Sequence, residues 1–129
     1  MGSADNNGRI ELVELENIVS KLNIIPSVIL EVGSHTGEDA ERLQKYFNVN
    51  PDQVYVVEAH PTFYKDIVDN YPDYKVFNLA ANNTSGTVSF NAAKDFDDGR
   101  SSVLQRDIYN ATNFEVVECE SKRLDSFIE

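Results

Sequence analysis

The sequence predicts an α/β domain, a parallel sheet with flanking helices followed by a β-hairpin region. Three observations carry this. Val28-Ile29-Leu30-Glu31-Val32 is a short apolar run that ends in Gly33-Ser34-His35-Thr36-Gly37, after which helix-forming residues begin at Glu38. Strand-like runs then alternate with helical periodicity as far as Ala81, a pattern that predicts parallel pairing through right-handed crossovers. Beyond Asn82 the rhythm changes to the period-two alternation of antiparallel strands.

Met1 to Gly8 is small and polar and is expected to be a disordered leader, with the domain proper occupying residues 9–129. Ile10, Leu12, Val13, Leu15, Ile18, Val19 and Leu22 recur at helical spacing, so an amphipathic helix is expected over roughly 9–23. Pro26 stops it and leads into strand 28–32, whose apolar run suits a parallel strand covered on both faces. Thr36 is the expected N-cap of the next helix, where Glu38 and Asp39 suit the positive end of the dipole. Ala40, Leu43, Tyr46 and Phe47 mark its core face.

Val54 to Glu58 is the second strand. His60, ahead of Pro61, reads as a loop or capping residue, and Phe63, Ile67 and Val68 form the inner face of the following helix. Tyr74 to Ala81 is the expected third strand, Thr87 to Phe90 an antiparallel one, and Phe114 to Ser121 another, with Cys119 and Val117 on its core face. Ser101 to Leu104 is expected to be extended. Asp95-Phe96-Asp97-Asp98-Gly99 departs from a calcium loop in its glycine position, and Arg106 stands where a bidentate glutamate is needed, so it reads as a solvated loop.

A strand–glycine–helix junction places backbone N–H groups and little side-chain bulk at the carboxyl edge of a sheet, where open α/β folds bind ligands. Glu58 follows about 20 residues later, where a carboxylate can accept hydrogen bonds from both hydroxyls of a ribose. A nucleoside ligand follows. A dinucleotide fingerprint needs its middle glycine so that a pyrophosphate can approach closely, and His35 stands there instead. The turn therefore favours an adenosine ligand without a pyrophosphate, and S-adenosylmethionine fits. An NAD-dependent enzyme is the disfavoured alternative. Glu31 lies within an apolar strand, where an unpaired carboxylate is costly, so it is expected to face a polar cleft or a hydrogen-bonding loop.

Composition narrows the class further. At 129 residues, 41% hydrophobic and 26% charged, the chain suits one ordinary globular domain. A formal net charge of −11 opposes binding to nucleic acid or anionic membranes. The single cysteine, Cys119, excludes an intrachain disulfide framework, and a cytoplasmic location is expected. His35 has no nucleophile or carboxylate partner at a recognisable spacing, and the two histidines and one cysteine do not form a metal-ligand set.

The motifs in order resemble those of one family. Glu31-Val32-Gly33-Ser34-His35-Thr36-Gly37 resembles the cofactor loop of class I S-adenosylmethionine-dependent methyltransferases, which have a Rossmann-like fold. Glu58-Ala59-His60-Pro61-Thr62-Phe63 is similar to the Glu-Pro-x-Pro-x-x-Phe motif of the FkbM-type family within that class. Asn78 to Asn82 with Gly86 to Phe90, Gly99 to Val103, and Arg123-Leu124-Asp125-Ser126-Phe127 resemble its later motifs, so the likeness covers about residues 26–128.

The resemblance implies O-methylation of a sugar or small-molecule hydroxyl. It places the Gly33–Gly37 loop, with Ser34 and His35, near the methionine part of the cofactor, and has Glu31 help to hold the amino group. It also implies that Glu58 binds the ribose, that Ala59 lies beside the adenine, and that Ala81 and Asn82 lie near the adenine edge. No catalytic residue is assigned. In the family a Lys-x-Asp-x-Glu-Gly strand and further strands follow, so the chain is expected to be a partial domain. With strand order 3-2-1, strand 28–32 becomes an open apolar edge that seeks a partner, a second copy included. A non-catalytic nucleoside-binding or assembly module is the competing expectation.

Overall fold

A computed structural model describes residues 10–93 and 114–127. The leader, the Asp95–Gly99 loop, the Gly99–Val103 motif and the 101–104 segment lie outside the described residues. Within them, helix α1 (Ile10–Lys21) precedes strand β1 (Ile29–Val32), helix α2 (Glu38–Tyr46), a 3-10 turn (Pro51–Gln53), strand β2 (Val54–Val57), helix α3 (Pro61–Asn70) and strand β3 (Lys75–Phe77). Strands β4 (Ala80–Ala81), β5 (Gly86–Ala93) and β6 (Phe114–Lys122) and the short helix α4 (Leu124–Phe127) follow.

The first sheet is parallel in the order β1-β2-β3, with Ile29 opposite Val54 and Val56 opposite Val76. Alternation along each strand puts Ile29, Val54, Val56 and Val76 on one face. There they pack with Ala40, Leu43 and Phe47 of the α2 region and Ile67 of α3 to form the main core. The other face carries Leu30, Val32, Tyr55, Lys75 and Phe77, and Leu30 and Val32 are exposed. Among the described residues, β1 is therefore not covered on both faces, contrary to the expectation from its apolar run: α2 and α3 pack on the same side. As expected from the order 3-2-1, β1 lies at an edge of this sheet.

Helix α1 forms where its periodicity places it, but only part of its apolar stripe docks: Leu12 and Val19, on the same face as Glu16, are half-buried. Ile10, Val13, Leu15, Ile18 and Leu22 are exposed, whereas Glu16 is buried and takes two hydrogen bonds from the Arg42 guanidinium of α2, at 2.9 and 3.1 Å. A planar guanidinium meets both carboxylate oxygens, which fixes the crossing of the two helices. Tyr46 and Val68 are likewise exposed rather than part of the core faces expected of them; Phe47 and Ile67 hold those places.

The expected third strand, 74–81, is two strands in two sheets. Leu79 N–H bonds Phe77 O at 3.1 Å, a tight turn that ends the parallel ladder. Ala80 and Ala81 then pair in parallel with Ser121 and Lys122 of β6, giving a second sheet in the order β4-β6-β5. β5 and β6 are antiparallel from Gly86↔Ser121 to Ala93↔Phe114, as their alternation predicts. Ala80, Phe90, Ala92 and Cys119 form a second small core against which Ala59, Val88 and Val117 pack. Burial pushes the Cys119 thiol up from its ordinary range, so it stays protonated and acts as a core residue.

Candidate nucleoside site at the strand ends

Gly33 N–H donates to Val57 O at 2.8 Å, which carries the parallel ladder one residue past β1 and starts the turn at the carboxyl edge of the sheet. The chain then reverses through three left-handed residues, Gly33 (φ 79), His35 (φ 66) and Gly37 (φ 86). Gly37, not Thr36, occupies the N-cap of α2, and no side chain caps the helix. The left-handed backbone required there excludes a threonine cap, which needs extended dihedrals. Glu38, Asp39 and Glu41 in the first turn complement the dipole instead.

Glu58 stands one residue beyond β2, buried, and its carboxylate joins the two loops. Oε1 accepts the His35 N–H at 2.7 Å, and Oε2 accepts the His60 N–H at 2.8 Å. Charge-assisted bonds of this kind are short and strong, and here they close the β1–α2 turn onto the start of α3. His60 caps α3, its Nδ1 accepting the Thr62 N–H at 3.2 Å, in keeping with the capping role read from its place before Pro61. The Phe63 ring centroid lies 4.4 Å from that of His35 and 4.3 Å from that of His60, so three rings pack beside the carboxylate.

Glu31 meets a hydrogen-bonding loop: buried Ser34 donates its hydroxyl to Glu31 Oε1 at 2.6 Å. Glu31, Gly33, Ser34, His35, Gly37, Glu58 and Ala59 thus share one end of the parallel sheet. Ala81 and Asn82 follow the turn that ends β3. They belong to the second sheet, where Asn82 N–H bonds Lys122 O at 3.0 Å. Asn78 makes the link, its side-chain amide donating to Glu58 O at 2.9 Å and Ala59 O at 3.0 Å. Asn78, His60 and Phe63 were not among the expected binding residues. The sequence signal for Asn78 was its place next to a strand end, which propensity alone reads as more strand.

A hollow of about 870 Å³ lies between Leu30, Tyr55 and Phe77 on the other face of the sheet and Glu120 and Lys122 of β6, with Asn78 in its wall. The carboxylate in its lining, Glu120, is exposed, whereas Glu58 at the strand ends is buried. Chemistry therefore favours the strand-end site.

Gly37 is braced from behind. The rings of Tyr71 and Tyr74 stack at 4.8 Å and 7°, and the Tyr71 hydroxyl donates to Glu41 at 3.1 Å. Burial pushes both phenols up to about 12. An unfolded tyrosine ionises near 10, so the folded chain holds these protons more tightly. This stability is complete below about pH 10 and is lost as pH rises toward about 12. The urea midpoint is expected to be flat to about pH 10 and then fall, with a shallower fall in the Tyr71→Phe protein; equal slopes would contradict the assignment.

No family model, curated protein or solved structure matches the chain. Among the described residues, no helix is long and apolar enough to cross a membrane.

Proposed function

We propose that the chain is the cofactor-binding part of an S-adenosylmethionine-dependent methyltransferase of the FkbM type, with a sugar or small-molecule hydroxyl as acceptor and a cytoplasmic location. One observation carries the reading: the buried Glu58 carboxylate at the end of β2, tied to the glycine turn after β1. A carboxylate has about four acceptor sites, and the two N–H groups use one on each oxygen, which leaves capacity for a ribose diol. A Cβ at Gly33 would meet nothing within 4 Å, so the turn leaves open space where a nucleoside can approach backbone.

In that reading Glu58 binds and orients the ribose, and Asn78 holds the Glu58–Ala59 backbone beside the base. Ser34 keeps Glu31 turned toward the turn, near the amino group of the methionine part. The cofactor, when bound, supplies an electrophilic methyl group for displacement by the acceptor oxygen. Alignment of that displacement is what such a site contributes, and no general base is assigned. The acidic balance of the chain supports neither nucleic acid nor an anionic membrane as partner.

A second reading, a non-catalytic nucleoside-binding or assembly module, is favoured by a specific feature. β1 lies at a sheet edge with Leu30 and Val32 exposed, an arrangement that invites pairing with a second copy or another strand.

Calorimetric titration with S-adenosylhomocysteine, with light scattering on the same sample, tests both. Saturable binding is expected, and ligand at about 100 times its dissociation constant raises stability by ~2.7 kcal/mol. A folded chain that gives no heat with this ligand would overturn the cofactor reading. A ligand-independent dimer in that case supports assembly.

A further inference from the structure

The hollow between the two sheets differs in kind from the strand ends. Its wall on the parallel sheet carries Leu30, Tyr55 and Phe77, and Tyr64 and Leu79 extend it. A volume of about 870 Å³ falls within the roughly 300–1,000 Å³ of small-molecule sites, which are mostly apolar with a few placed polar groups. The Tyr55 ring is held: Lys75 Nζ lies 5.0 Å from its centroid and donates to its hydroxyl at 3.3 Å.

Strand β6 supplies the opposite wall. Alternation along it gives Cys119 to the second core and turns Glu120 and Lys122 the other way, to the hollow. Lys122 is half-buried, whereas Glu120 is exposed. Among the described residues no carboxylate lies within ion-pair distance of Lys122, although Asp and Glu number 22 against 11 Lys and Arg. A half-buried cation beside apolar and aromatic walls is matched by a ligand that brings its own negative charge. Glu120 opposes that charge, but solvent screens it more than it screens Lys122.

We propose that the hollow binds a small apolar or aromatic carboxylic acid, its body lying on Leu30, Tyr55 and Phe77 and its carboxylate paired with Lys122. Two facing walls suit a small molecule rather than the flat surface of a protein partner. The proposal goes beyond the nucleoside site and does not rest on it, since neither Glu58 nor the glycine turn lines the hollow.

Equilibrium dialysis with naphthoate and its neutral amide, naphthamide, tests it, with circular dichroism and light scattering on each protein. The wild type is expected to bind naphthoate at one saturable site and naphthamide at least about tenfold more weakly. Lys122→Gln is expected to bring naphthoate down to the level of the amide, and Lys122→Arg to keep it. Glu120→Gln is expected to tighten naphthoate, and Leu30→Asn to weaken both ligands. Lys65→Gln, which removes the same charge from an exposed position of α3, is expected to change neither.

A folded wild type that does not bind naphthoate would overturn the proposal, as would one that binds the amide equally well. That comparison needs no variant to fold. Equal losses in Lys65→Gln and Lys122→Gln would assign the preference to overall charge and also overturn it. A wild-type dimer that Leu30→Asn dissociates, with no naphthoate bound, would make the hollow an interface between copies instead. Binding of S-adenosylhomocysteine is read separately, so failure at the hollow leaves the strand-end site standing.

Discussion

Glu58→Ala is expected to lower stability by about 3 kcal/mol and to abolish S-adenosylhomocysteine binding in the fraction that remains folded. The carboxylate is the acceptor for two backbone donors, His35 N–H and His60 N–H, at a site that is nearly closed to solvent. Truncation leaves both donors without that partner, and a hydrogen bond to a charged group is worth about 1.5–3 kcal/mol where the site is buried. In a domain of this size the loss corresponds to a fall in melting temperature of about 10 °C. Glu58→Gln offers a finer comparison. The amide can accept from one N–H but turns a donor toward the other, so an intermediate loss is expected. Urea unfolding measures the stability, and titration scaled to the folded fraction measures the site. A Glu58→Ala protein as stable as the wild type would show that the carboxylate does not join the two loops. A stable protein that still binds would remove Glu58 from the ribose site.

The same residue shows what the sequence makes legible. The place of Glu58 at the end of β2, bonded to the glycine turn, is readable because it rests on spacing from that turn, and spacing is a property of the chain itself. The parallel order, the turn and the antiparallel β5–β6 pair are readable for the same reason: each rests on a local period or a glycine at a fixed offset.

What sequence reading missed depends on contacts far apart in the chain. The strand expected over 74–81 is apolar enough to be continuous, but Asn78 turns its amide to Glu58 O and Ala59 O, and the chain leaves the ladder there. The apolar stripe of α1 predicts a helix correctly yet says nothing about what it meets. The most buried residue of the helix is Glu16, bonded to Arg42, 26 residues away, with half-buried Leu12 and Val19 beside it. Thr36 has the right composition for a cap, and the left-handed turn at Gly37 overrides it. Competition between a local preference and a tertiary demand decides each of these cases, and only the local side is written in a short window of sequence.

Gly37 is the position where the two demands meet most tightly, and Gly37→Ala is expected to cost about 3 kcal/mol. Its φ of 86 already charges an L-residue about 1–2 kcal/mol. A Cβ there would also lie 2.8 Å from Tyr71 Cε2 and 3.2 Å from Cδ2, well inside contact distance. The ring cannot swing aside cheaply, because it is stacked on Tyr74 and its hydroxyl is bonded to Glu41. Gly33→Ala separates the two costs. Its φ of 79 imposes nearly the same backbone strain, but nothing lies within 4 Å of its Cβ, so a loss of only about 1 kcal/mol is expected. The difference between the two alanine variants in urea unfolding is the cost of displacing Tyr71, and Tyr71→Ala in the Gly37→Ala background should recover part of it. Equal losses at both glycines would mean that the tyrosine stack yields freely and does not brace the turn. A larger loss at Gly37 that Tyr71→Ala relieves would show that the stack behind α2 holds the glycine turn against the end of β2, the geometry on which the Glu58 site depends.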